Sequence, residues 1–235
     1  MLLMEDTEEV LRYHIDIVLC IDCSGSMASV IDSLKKDICN IPKDLNRALE
    51  QKSKDLHELR IRIVAFRDLN ENLNAIKVST FFVVEPQRDT TGFELYVNQL
   101  SLSGGVCDGP KSGLEALAIA LGSDWTDKGD KQRHLVVMFT AASAHKLEDR
   151  IGAVPTKFLG LIPDSLDELT DIWDGGQAAK LKRFARRLII FGPDAYPWNT
   201  ISDAWGQTVY LPSQAGEGLE LANCSTMIET LANSV

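Results

Sequence analysis

The chain has 235 residues, 45% of them hydrophobic, enough apolar side chain for one sizeable core without disulfide support. Lysine and arginine number 24 against 34 aspartate and glutamate, so the net charge is −10 and the surface as a whole repels nucleic acid and anionic membrane. A single domain over residues 1–235 is the expectation, with no nucleic-acid and no membrane partner.

The opening MLLMEDTEEV carries no basic region and no long apolar stretch, so neither a signal nor an anchor is expected, and the expected compartment is the cytoplasm. Five cysteines, Cys20, Cys23, Cys39, Cys107 and Cys224, form no disulfide-scaffold spacing, which fits a reducing environment. CIDC formally matches a redox CxxC. That chemistry wants its first cysteine at a helix N-terminus, whereas Cys20 lies inside an apolar run and is expected to be an inert core thiol.

Residues 14–22, HIDIVLCID, read as a buried strand, and the helical spacing of Val30, Ile31, Leu34, Ile38, Ile41, Leu45 and Leu49 predicts a helix over 29–51. ELRIRIVAF, 58–66, is a second strand. AIKVSTFFVV, 75–84, follows after too short a connection for a parallel crossover, so these two strands are expected to form an antiparallel hairpin. Helices are predicted over 90–102 and 111–122, the second stopped by Gly122, and RHLVVMFT, 133–140, reads as a central strand. Residues 165–185 predict two helical pieces broken at Gly175 and Gly176; a strand at 186–192, a short strand at 207–211 and a closing helix at 218–233 complete the chain. Trp173, Trp198 and Trp205 are expected in the core. This alternation predicts an α/β fold: a doubly wound, Rossmann-like three-layer sandwich, its sheet mostly parallel with one antiparallel edge strand. Ligands of such sheets sit beyond the carboxyl ends of the strands.

That edge is where IDCSGSM, residues 21–27, follows the first strand. A helix cap by Ser26 or Ser29 accounts for one serine, not for oxygen-bearing side chains at Asp22, Ser24 and Ser26 together. A phosphate loop lacks its glycines and GK[ST], a nucleophile elbow lacks its first glycine, and a phosphatase opening on DxD lacks a carboxylate at position 24. Three oxygen side chains in one turn suit a hard divalent cation.

With that strand before it and that long helix after it, DCSGS at Asp22 to Ser26 resembles the DxSxS opening of the metal-ion-dependent adhesion site in von Willebrand factor A-type domains, including the inserted domains of integrins. FRD, Phe66 to Asp68, and SGGVCDGPKSGLEAL, Ser103 to Leu117, are similar to the next two stretches of bacterial members. The resemblance implies a metal site of Asp22, Ser24, Ser26 and Asp108 holding Mg²⁺ (or Mn²⁺ or Ca²⁺), with Thr140 and His145 as candidate residues behind the ligands. Two positions depart from the pattern. Lys111 stands where bacterial members carry glutamate, and is expected to point to solvent or to an acidic partner; Ala141 stands where the third loop carries aspartate. Cys23 is expected to be small buried filler.

The resemblance implies a protein-binding module, not an enzyme, whose open metal position receives an Asp or Glu side chain of another protein. The alternatives are a metal-dependent hydrolase or phosphatase on a similar sheet, with Asp22 as nucleophile or a metal-bound water attacking, and a degenerate domain that binds partners without metal.

Overall fold

The computed structural model describes residues 11–84, 90–102, 109–150, 154–213 and 224–235. Strand β1, Arg12–Asp22, pairs in parallel with β2, Asp55–Phe66, on one side. On its other side lies β5, Lys131–Phe139, followed in parallel by β6, Arg186–Pro193, and β7, Thr208–Ser213. Two short antiparallel pieces, β3, Lys77–Val78, and β4, Phe82–Val83, close the free edge of β2. The hairpin expected over 75–84 is present, but split. Between its halves Ser79 pairs with Ile63 through backbone and side chain, its Oγ accepting from Ile63 N at 2.9 Å and donating to Thr80 O.

Residues along each strand alternate between two cores, because successive strand side chains point to opposite faces. On one face Ile15, Ile17, Leu19 and Ile21 join Ile61, Ile63, Val137 and Phe191. This face is covered by α1, Ile31–Glu50, α2, Thr91–Asn98, and α6, Cys224–Ser234. On the other, Val18, Cys20, Val64, Val136 and Ile190 pack against α3, Gly113–Leu121, α4, Leu166–Asp174, and α5, Trp198–Ala204. The result is the three-layer α/β sandwich with a mostly parallel sheet. Trp173, Trp198 and Trp205 are all buried in the second core.

α1 turns the same apolar stripe inward that its spacing predicts: Ile31, Leu34, Ile38, Ile41, Leu45 and Leu49. α4 starts on a serine cap, Ser165 Oγ accepting from Glu168 N at 3.1 Å while Glu168 Oε2 accepts from Asp164 N at 2.9 Å, and ends on Gly175 at φ +99°, a left-handed position that favours glycine. The second helical piece expected before residue 186 does not form. The chain there is held in turns, with Leu181 and Ala185 buried singly and the Lys180 and Lys182 ammonium groups bonded to Gly122 O and Gln132 Oε1. Sequence pattern gave no sign of α5, only seven residues long. The closing helix is described from Cys224; the expected residues 218–223 lie outside the described residues. No helix among the described residues is long and apolar enough to cross a membrane.

Candidate functional site

The order β3-β2-β1-β5-β6-β7 reverses between β1 and β5, so the gap beyond Asp22 and Phe139 is the place where strand ends diverge and leave a crevice. Asp22, the last residue of β1, is fully buried there. Its Oδ1 accepts from Ser24 N at 2.9 Å, which bends the chain sharply out of the strand. A 3₁₀ turn over Gly25–Met27 follows, and the Ser24 and Ser26 hydroxyls meet at 2.8 Å. Neither serine caps a helix. α1 begins later, its cap residue is Val30 with no side-chain hydrogen bond, and Ser29 is exposed. Cys23, between the two polar positions, turns into the opposite core. Burial and the adjacent Asp22 carboxylate push its thiol up to about 12, and burial raises the Cys20 thiol further.

The third loop contributes Thr140, one residue past β5. Its Oγ1 donates to Asp22 Oδ2 at 2.8 Å and also accepts from Ala142 N at 3.1 Å. Ala141, at the position where the resembled pattern carries aspartate, is a buried methyl. Trp198 of α5 holds this loop from behind, its Nε1 donating to Ala142 O at 2.9 Å. The same indole lies so close to α3 that a Cβ on Gly113 would meet Cζ2 at 2.7 Å.

The second loop is described only from residue 109, so Asp108 lies outside the described residues, as does Cys107. Lys111 corrects the expectation of a solvent-facing side chain: the residue is only 4% exposed. Its backbone explains the placement. Lys111 N donates to Ser143 O at 2.9 Å and Lys111 O accepts from His145 N at 3.0 Å, so the residue is laced edge to edge with the third loop. The adjacent Ser112 N donates to Arg67 O, and its hydroxyl accepts from Leu69 N, both at 2.9 Å, fastening the start of α3 to the end of β2.

Burial pushes the Asp22 carboxyl above the usual carboxylate range, against the pull of the Ser24 hydroxyl and N–H, the Thr140 hydroxyl and the Lys111 charge. His145 does not reach Asp22; its Nε2 pairs with Asp68 Oδ2 at 3.0 Å. Behind that pair sits Glu115 of α3, only 2% exposed, with Oε2 lacking a hydrogen-bond partner and its carboxyl pushed by burial up to about 7. Sequence reading passed over Glu115 and gave Asp68 no role. The available signals were FRD and an acidic residue set in the otherwise apolar GLEALAIAL.

The structure thus gathers Asp22, Ser24, Ser26 and Thr140 and places His145 on a neighbouring pair. Among the described residues no group of three or more His, Cys, Asp or Glu side chains is arranged to hold a metal ion. The described oxygen donors are one buried carboxylate, Asp22, and the mutually bonded Ser24 and Ser26 hydroxyls, and the charge of buried Lys111 reaches Asp22. A positive charge felt at that carboxylate opposes a divalent cation there, so these donors do not by themselves fit one.

No protein-family model matches the sequence, and no curated protein matches it. Solved structures share the fold. Proximal thread matrix protein 1 from the mussel byssus aligns over 95% of this chain and 48% of its own, with a TM-score of 0.50 and 12% identity. Pilus adhesin SpaC from Lactobacillus rhamnosus GG aligns over 94% and 31%, with a TM-score of 0.56 and 10% identity, and its open conformation gives 0.52 and 8%. The chain therefore spans less than half the length of these solved chains, and at such identities the likeness is one of fold.

Proposed function

We propose that the chain is a protein-binding module of the von Willebrand factor A type, engaging an acidic side chain of a partner protein at the carboxyl edge of its sheet. The observation that carries this reading is the convergence of Asp22, Ser24, Ser26 and Thr140 at the topological switch point, with no helix cap to employ the serines. The Ser24 and Ser26 hydroxyls are the donors an incoming carboxylate meets, and Asp22 is the buried group that orients them. Among the fold neighbours one bears the name of an adhesin; the fold is what it shares with this chain.

A hydrolase is the weaker reading. Asp22 as nucleophile is buried and engaged by two donors, and His145, the nearest titratable base of the third loop, is turned to Asp68. Phosphatase assay with Mg²⁺ or Mn²⁺ separates the two. No turnover is expected, and turnover abolished by Asp22→Ala would overturn the binding reading. Capture of native-cell proteins should yield a species retained by the wild type and lost with the Ser24→Ala, Ser26→Ala double variant. Equal retention counts against this edge as the binding face.

A further inference from the structure

We infer that a cavity beside the Asp22 turn is a second binding site, one that takes a small organic carboxylate. It does not depend on the adhesion-type reading of Asp22 and would stand without it. The cavity measures about 120 Å³ and lies between the end of β2, β3 and the last turn of α2. Buried Cys23, Ala65 and Leu100 give it apolar walls. Arg67, Lys77 and Tyr96 bring two positive charges and a hydroxyl to it. No acidic side chain is among its described lining residues, in a chain whose net charge is −10.

Those polar groups are held in place and unspent. Among the described residues, the Arg67 guanidinium, the Lys77 ammonium and the Tyr96 hydroxyl enter no hydrogen bond or ion pair. Their surroundings are nonetheless fixed: Arg67 O accepts from Ser112 N at 2.9 Å, Lys77 is paired with Ala65 across β2 and β3, and the Tyr96 ring packs against Phe82 with centroids 5.7 Å apart. Two cations so placed receive an anion without first breaking bonds of their own. Size and charge narrow the ligand. An apolar cavity of about 150 Å³ holds benzene, so this one suits an acid of about five or six heavy atoms. The cavity lies against the C-terminal end of α2, whose negative dipole end opposes the second charge of a phosphate and tolerates a single one better. A short-chain carboxylate meets both demands, with its methylenes on the apolar walls and its oxygens toward Arg67 and Lys77. Its source is either a free acid or an acidic side chain of another protein.

Butyrate titrated into the full chain and followed by the broadening of its own NMR signals should bind saturably, and Arg67→Gln and Lys77→Gln should each weaken it about tenfold or more. Arg67 is half-buried and Lys77 exposed, so both variants should fold, which thermal unfolding checks. Butylamine, of the same shape and opposite charge, should not bind, and inorganic phosphate should bind more weakly than butyrate. Absence of butyrate binding, binding indifferent to both variants, equal binding of butylamine, or tighter binding of phosphate each overturns the inference. N-acetylglutamate amide identifies the source. Tighter binding than butyrate at the same two cations supports the site as one for an acidic side chain, and weaker binding supports it as one for a free acid.

Discussion

Thr140 Oγ1 donates to Asp22 Oδ2 at 2.8 Å, one hydrogen bond joining the ends of two adjacent parallel strands at the point where strand order reverses. The hydroxyl is fully committed, since it also accepts from Ala142 N and contacts Ala142 O at 3.2 Å. Thr140→Val keeps the shape, removes the hydroxyl and leaves a carboxylate oxygen and an N–H buried without partners. A loss of about 1–3 kcal/mol in urea unfolding is expected, with Thr140→Ser recovering most of it. A Thr140→Val variant as stable as wild type would remove this bond from the account of the site.

Glu115 makes a pH-dependent contribution of defined sign. Its carboxyl titrates near 7 in the folded chain against 4.5 ordinarily, so between those values the folded protein keeps a proton that the unfolded chain has released. Stability from this group is present below about pH 4.5 and is lost as pH rises through about 7. Glu115→Gln removes the loss. The variant should exceed wild type by on the order of 2 kcal/mol near pH 8 and match it at the acid end, measured by denaturant midpoint across pH. A difference independent of pH would contradict this.

Close approach of Trp198 to α3 leaves no room for a side chain at position 113. Gly113→Ala should cost about 1–3 kcal/mol, because the neighbour is a rigid indole held by its bond to Ala142 O, not the free end of a flexible chain. Equilibrium unfolding reads the cost directly, and the indole fluorescence should report the displaced ring. An unchanged midpoint would show that α5 yields easily.

Cys20 and Cys23 are expected to resist alkylation in the folded protein. Both are buried, and burial raises both thiols far above the pH of ordinary labelling. Half-buried Cys39 is the internal comparison. Iodoacetamide followed by peptide mass spectrometry should mark Cys39 and spare the CIDC pair until denaturant is added; early labelling of Cys20 would revive a redox role.

Much of the frame was legible because long, strongly patterned runs betray themselves. The continuous apolar run of β1 and the inward stripe of α1 could hardly be read otherwise. The site was legible in part for a related reason. DCSGS places oxygens at alternate positions of a turning strand end, and the turn does bring Ser24 and Ser26 together beside Asp22. What escaped depends on chain segments far apart in sequence. Lys111 looks like a surface residue until the third loop pairs with its backbone, and Trp198 looks like generic core until it is seen holding Ala142 from a seven-residue helix. The second helical piece before β6 is the opposite case: local propensity favours it, yet the chain there runs in turns, with Lys180 and Lys182 bonded to Gly122 O and Gln132 Oε1.

The lacing of Lys111 to Ser143 and His145 has a mechanical consequence. Those two hydrogen bonds make the approach to α3 and the exit from β5 a single piece of backbone, so anything that pushes on the outer rim at residues 143–145 pushes on the helix as well. All nine residues of that helix are buried, which leaves it no slack to absorb the push. The turn after Asp22 is tied elsewhere, Cys23 N donating to Phe66 O at 2.8 Å at the end of β2. Contact at residues 143–145 is therefore carried into the buried helix, while contact at the serines is carried into the neighbouring strand.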